Sequence, residues 1–224
     1  MADQTTEHVE KDAFLQMQGF WQKYQKTILI SITVIVVMVG GWWAYNSMIV
    51  KPKEEKAADA IFAAQRYFSV DSSRLVLDGD GVSRGVLYVI KTYGGTKEAN
   101  LAHFYAGISY LKLGDYNNAV KYLKDFSTDA KQIQMVAYGN LADAYSELKK
   151  NTEAIEYYEK ASAAFEDDEY NSAEYLFRAA ALSEMSGKTK EALELYKQIK
   201  EKFPKTKGVQ MDKYIARLGG STDK

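Results

Sequence analysis

The sequence predicts an all-α protein, an N-terminal transmembrane helix followed by a solenoid of helical hairpins. Three observations carry that prediction. A helix–turn–helix pattern recurs three times in the C-terminal half, and a run of 23 residues near the N-terminus, 27–49, holds no charge. The 224 residues contain only two prolines, so long helices can run uninterrupted.

Residues 1–26 form the first segment. Met1 to Asp12 is polar, with Asp3, Glu7, Glu10 and Asp12 against Lys11, and reads as a mobile tail. Residues 13–26, AFLQMQGFWQKYQK, turn amphipathic through Phe14, Phe20, Trp21 and Tyr24, which suits a helix at headgroup level. The anchor itself is placed at 27–50. Its uncharged run, at about 1.5 Å per residue, spans roughly 34 Å, enough for a hydrocarbon core with some tilt. Trp21 and Tyr24 before it, and Trp42, Trp43 and Tyr45 at its far end, make two aromatic belts at the bilayer surfaces. A cleaved signal peptide fits poorly, because the leader is long and acidic and no small-x-small site follows Gly41. Lys11, Lys23 and Lys26 precede the run, and Lys51, Lys53, Lys56 and Arg66 follow it. That near balance sets no orientation.

Pro52 is expected to end the span, and residues 51–98 to form a degenerate first hairpin with a connector. Glu54 to Val70 restarts as an amphipathic helix through Ala57, Ala60, Ile61, Ala64, Tyr67 and Phe68. Asp78 to Gly81, DGDG, is a turn. Its acid series is incomplete for a calcium loop, and Val89 stands where a closing glutamate belongs. GVLYVIK, 85–91, then resumes as helix up to Thr92-Tyr93-Gly94-Gly95.

The stretch 105–126 makes two apolar stripes at helical period. Ala106, Ile108, Tyr110 and Leu111 lie on the first, and Ala119, Val120, Leu123 and Phe126 on the second. Leu113-Gly114-Asp115-Tyr116 between them is a turn, with glycine for the reversal and Asp115 to cap the second helix. Small residues at Gly107 and Ala119 allow close helix approach. YLKLGDYNNAVKYLKDF, YSELKKNTEAIEYYEKA and SEMSGKTKEALELYKQI stack column by column, with 35 residues between Tyr110 and Tyr145 and 38 between Ala154 and Ala192. In this the chain resembles the tetratricopeptide repeat family over residues 99–218. The small-residue column is Gly107, Ala142 and Ala180, and the second-helix alanine column is Ala119, Ala154 and Ala192. Departures are His103, Tyr138 and Leu176 in the tryptophan column, and Ser183 where the tyrosine belongs. Gly208 to Leu218 is a terminal capping helix, and 219–224 a polar tail.

Composition narrows function. With no cysteine, thiol catalysis, disulfides and cysteine metal sites are excluded, as is a lipoprotein anchor. Net charge of −1 implies no polyanion partner, so no nucleic acid. His8 and His103 lack a second ligand or a paired carboxylate at ligand spacing. Glu166-Asp167-Asp168-Glu169 reads as a solvated loop rather than a cation or basic-partner site. No phosphate-cradling glycine loop or nucleophile motif is present. The expectation is no enzyme, no catalytic or metal residues, no cofactor and no small-molecule substrate. What remains is a surface for binding proteins.

The resemblance places that surface on the first helices of the hairpins. It implies Leu101, Phe104, Ile108 and Lys112 from the first repeat, and Val136, Gly139, Asp143 and Glu147 from the second. The third supplies Glu174, Phe177, Ala181 and Glu184. Apolar at one end and acidic toward the other, this groove suits a segment with apolar anchors and some basic residues. The clamp that some repeat proteins use for a C-terminal carboxylate is absent, since Phe104 and Ile108 stand where it would begin.

GWWAYNSMIV passing directly into KAADAIFAAQRYF gives the layout of a single-pass anchor running into a short repeat stack. The whole chain is similar to YfgM-like proteins. That likeness implies a bacterial inner membrane, a periplasmic C-terminal domain and an ancillary role at the SecYEG translocon. Its implied partners are a membrane-anchored periplasmic chaperone and unfolded envelope clients, besides the bilayer itself. A scaffold of another envelope complex, and a cytosol-facing membrane receptor, remain open alternatives.

Overall fold

The computed structural model describes residues 3–221, with side chains from Met17 onward. Expectations for the side chains of His8 and Phe14, and for residues 222–224, lie outside the described residues. The chain divides into two compact units, Met1–Pro52 and Lys53–Lys224.

The first unit is one long helix, α1, from Asp3 to Tyr45, followed by a π turn over Asn46–Val50. The polar segment expected as a mobile tail is therefore helical from Asp3, and the amphipathic stretch belongs to that same helix. None of its most apolar window is buried within the protein. Ile30, Val36, Val37 and Val39 all lie open, as do Trp21, Tyr24, Trp42, Trp43 and Tyr45. A core helix buries its apolar residues in its own protein, and this helix does not. It is long and apolar enough to cross a membrane. The hydroxyl of Thr33, near the middle of the run, donates to the Leu29 carbonyl at 2.8 Å and so keeps its hydrogen bond within the helix.

Pro52 does not break the helix, and Glu54 does not restart one. Helical geometry persists through the π turn into α2, Lys51–Ser69. A proline inside a helix donates no N–H, and its ring crowds the carbonyl four residues back. Here the Lys51 N–H reaches the Asn46 carbonyl, five residues back. The wider turn just before Pro52 relieves that crowding without breaking the helix.

The second unit continues with α3 (Ser73–Asp78), α4 (Val86–Tyr93), α5 (Lys97–Lys112) and α6 (Tyr116–Lys124). Then follow α7 (Lys131–Glu147), α8 (Asn151–Ala164), α9 (Glu169–Met185) and α10 (Thr189–Lys202). A 3₁₀ turn at Gly208–Gln210 leads into α11, Met211–Arg217. Among the described residues there is no strand, only an isolated bridge between Gly79 and Arg84.

Each hairpin, α5/α6, α7/α8 and α9/α10, reverses in the same way. Gly114, Lys149 and Gly187 take φ of 78°, 60° and 76°. The next residue then donates its N–H to the carbonyl five back: Asp115 to Tyr110, Lys150 to Tyr145 and Lys188 to Ser183, each at 2.9 Å. These bonds satisfy carbonyls that a helix end leaves orphaned. Lys149 holds the left-handed position without glycine's freedom, at a cost of about 1 kcal/mol. Asp115 caps α6 by accepting from the Asn118 N–H at 3.2 Å.

Close approach fixes the hairpins further. A Cβ on Gly107 would fall 2.4 Å from Leu123 Cγ, and one on Gly139 would fall 2.3 Å from the Tyr175 ring. Ala119, Ala154 and Ala192 are fully buried. One core runs from Ile108 and Leu123 to Met211 and Ile215. Another joins Ile61, Ala64 and Tyr67 of α2 to Val76, Val86, Val89 and Ala102.

Candidate functional site

The N-terminal ends of the three first helices leave a groove of about 350 Å³. From α5 come Leu101, Phe104 and Tyr105, from α7 Gln132, Ile133 and Val136, and from the start of α9 Asp168 and Asn171. An adjoining groove of about 490 Å³ shares Leu101 and Ile133 and runs along Thr96, Asn100, Phe126 and Asp129. Helical spacing explains the floor, since residues three and four apart share a face. Ile133 and Val136 are 41% and 39% exposed, unlike the buried Met135 and Ala137 between and beside them. Phe104 is held by Phe126 and Tyr105, with ring centroids 5.1 and 5.9 Å away. Tyr105 rests in turn on Phe68 of α2 at 4.7 Å, and burial pushes its hydroxyl pKa up. The walls are fixed by their own partners. Asn100 ties α5 to the α6–α7 loop, donating to the Ser127 carbonyl at 2.8 Å and accepting from its N–H at 3.3 Å.

Of the residues predicted for the surface, the structure brings Leu101, Phe104 and Val136 together. The others lie elsewhere. Ile108 is two turns along α5 from Leu101 and only 6% exposed, joined to the core of Leu123, Leu141 and Tyr145. The groove is open at the helix N-termini and filled farther along, which removes Ile108 from it. Gly139 is covered by Tyr175. Lys112 pairs with Asp71 at 2.5 Å and sits over the Phe68 ring. Glu147 is exposed near the end of α7, away from the groove lining.

Asp143 accepts from the Tyr158 hydroxyl at 2.5 Å and from Arg178 at 3.3 Å. Burial, and then that hydrogen bond, push the Tyr158 hydroxyl well above the ordinary tyrosine range. Glu174 binds Arg178 at 3.3 Å and also Lys207. Burial alone would raise the Glu174 carboxyl, but Lys207 and Arg178 bring it below the usual glutamate range.

The third hairpin's share of the surface is covered by the chain's own end. The Phe177 ring lies 5.3 Å from Tyr214 of α11 and 6.0 Å from Tyr196, with the Lys207 ammonium 4.8 Å over its face. Glu184 accepts from the Tyr196 hydroxyl at 2.9 Å and pairs with Arg217 at 2.7 Å. Ile133 was not among the predicted residues. Its signal was its place one turn before Val136, on the stripe that faces Leu101.

The remaining polar motifs have structural duties. Asp80 of the DGDG turn accepts from the Tyr67 hydroxyl at 2.7 Å and from the Val82 and Ser83 N–H groups at 2.9 and 2.6 Å. The Tyr67 hydroxyl and the Ser83 N–H hold its carboxyl below the ordinary aspartate range. The acidic run in the α8–α9 connection is largely solvent-exposed, as a solvated loop is, and also carries contacts within the chain. Glu166 pairs with Lys202 at 2.6 Å, Glu169 accepts from Thr206 at 3.1 Å, and Asp168 caps α9 through the Asn171 N–H. Among the described residues no group of three or more acids and histidines is placed to hold a metal. His103 lies 5.7 Å from the Tyr122 ring, and burial pulls its pKa down.

Comparison with known proteins agrees with this geometry. Family models described as tetratricopeptide repeat match residues 134–204 and 101–130. No curated protein matches the sequence. Among solved structures, the chain is similar to the TPR-like repeats of a putative kinesin light chain from Podosopora anserina. The identity is 18%, over 73% of this chain and 85% of that one, with a TM-score of 0.50. The Q17M form of the same protein matches at 18% identity, over 73% and 84%, with a TM-score of 0.49. At that identity the likeness is one of fold. The second unit thus carries tetratricopeptide repeats, a fold typically used as a protein-binding scaffold.

Proposed function

We propose that this chain is a membrane-anchored protein-binding module whose groove holds an apolar segment of a partner polypeptide. The observation that carries the reading is the groove that half-buried Leu101 and Phe104 line together with exposed Ile133 and Val136. Contiguous exposed apolar side chains rimmed by polar ones mark interaction surfaces. Binding is reversible and needs no energy source. It is driven by apolar burial at roughly 25 cal/mol per Å², less the ordering of the bound segment.

α1 is the anchor, and Trp21, Tyr24, Trp42, Trp43 and Tyr45 sit at its two bilayer surfaces. The resemblance to YfgM-like proteins supports the finer reading. The repeats face the periplasm from a bacterial inner membrane, as an ancillary subunit at the SecYEG translocon. Working with a membrane-anchored periplasmic chaperone, they hold unfolded envelope clients near the exit. The domain limits follow the same reading: anchor at 27–50, a first hairpin with connector at 51–98, and repeats with their cap at 99–218.

Photo-crosslinking in native membranes tests this, with probes at Ile133 in the groove and Glu147 outside it. The proposal expects translocon subunits, a periplasmic chaperone or nascent envelope proteins at Ile133 and few products at Glu147. Cytosolic proteins at Ile133 would overturn the topology in favour of a cytosol-facing receptor. Subunits of a different envelope assembly would favour a scaffold. Equal labelling at both positions would remove the groove as the working surface.

A further inference from the structure

The start of α2 is fastened to the end of α4 and the start of α5 by two charged side chains. The Lys53 ammonium donates to the Gly94 carbonyl at 2.6 Å. One residue on, both carboxylate oxygens of Glu54 accept from the Lys97 N–H, at 3.1 and 3.3 Å. Glu54 thereby caps the first turn of α5 from 43 residues away, where a helix N-terminus favours negative charge. The neighbour of Lys97 is Glu98, whose Oε2 is buried and accepts no hydrogen bond from any N–H or hydroxyl. A buried carboxylate oxygen with no donor is costly.

A proton resolves both problems at once. Placed on Glu98, it removes the buried charge and supplies a donor toward the Glu54 carboxylate. We propose that a proton held on Glu98, facing the Glu54 carboxylate, makes these two side chains a pH-sensitive latch between α2 and α5. The charged groups that face Glu98 are Glu54 on α2 and its own neighbour Lys97 on α5. Glu54 and burial both favour the protonated form of Glu98, and its own backbone N–H and then Lys97 oppose it. The sign follows. A raised carboxyl pKa contributes stability that is present at acid pH and lost as pH rises through the folded value. Above it Glu98 is charged beside the Glu54 carboxylate, the two repel, and α2 loosens from the α5 N-terminus.

The latch is independent of what the groove binds, so its test needs no partner. Hydrogen exchange of the Lys97 amide is followed in the full chain in detergent micelles between about pH 4 and pH 8, a window bracketing ordinary and raised carboxyl pKa values. Rates are corrected for intrinsic exchange. In the unmodified chain, protection at Lys97 is expected to fall as pH rises, while protection in α10 stays constant. In Glu98→Gln the amide donates to Glu54 at every pH, so protection at Lys97 should no longer depend on pH. In Glu54→Gln the carboxylate that caps Lys97 is gone, and protection there should be low throughout. A flat profile in the unmodified chain, or the same slope in Glu98→Gln, overturns the proton on Glu98. Full protection of Lys97 in Glu54→Gln overturns the latch itself.

Discussion

On α7 the first-helix surface is open over Ile133 and Val136, in one groove with Leu101 and Phe104 of α5, whereas on α9 Phe177 and Glu184 are covered by the chain after α10. Both regions come from the same hairpin pattern. What separates them is the chain's own continuation. The segment after α10 lays Tyr214 on Phe177, Arg217 on Glu184 and Lys207 on Glu174. Among the described residues Ile133 and Val136 stay exposed, with no such cover. An aromatic residue in a groove column can therefore serve stability or recognition, and its neighbours decide which.

The comparison predicts that substitutions will divide between stability and binding. Ile215→Ala deletes a fully buried side chain beneath the cap and should cost about 2–5 kcal/mol, read as a fall in thermal midpoint. An unchanged midpoint would mean the cap is not part of the packed fold. Lys149→Gly relieves the left-handed position in the second turn and should stabilise by about 1 kcal/mol in denaturant titration. Destabilisation there would show that the lysine side chain contributes more than the backbone strain removes.

Glu174 supplies a pH-dependent difference between the regions. Its folded pKa is lowered, so its contribution is present above the ordinary glutamate pKa and lost as pH falls through the folded value. Glu174→Gln should flatten the acid side of the stability profile; an unchanged slope would remove Lys207 from the cap's fastening. Smallest on stability is Ile133→Asp, expected within about 0.5 kcal/mol of the unmodified protein because the side chain is already exposed. The same change should remove crosslinking at a probe placed at Val136. Loss of fold with Ile133→Asp would make the strip structural and erase the distinction between the two regions.

The hairpins were legible because their determinants are local. Gly114 and Gly187 mark turns, Asp115 marks a cap, and the alanine columns mark close contacts, all within a few residues of what they control. The uncharged run was legible for the same reason. The π turn before Pro52 was not, because a proline signals a break and only the preceding carbonyls decide between breaking and widening. For the candidate site, helical columns gave the face but not the depth. Ile108 shares a stripe with Leu101 and lies in the core, and Phe177 shares its type with Phe104 and lies under α11. Those outcomes depend on neighbours 15 and 37 residues distant in the chain, Leu123 in the core with Ile108 and Tyr214 on Phe177, which no local pattern encodes.

The three reversals share one backbone bond and one left-handed residue, so the chain leaves every first helix on the same course. A hairpin bounded by such turns behaves as a cassette. Duplicating the stretch from one reversal to the next would lengthen the array while leaving the entry from α4 and the closure by α11 with the neighbours they have now. Reach along a bound polypeptide would then be set by the number of hairpins, and grip by the few side chains at the start of each first helix.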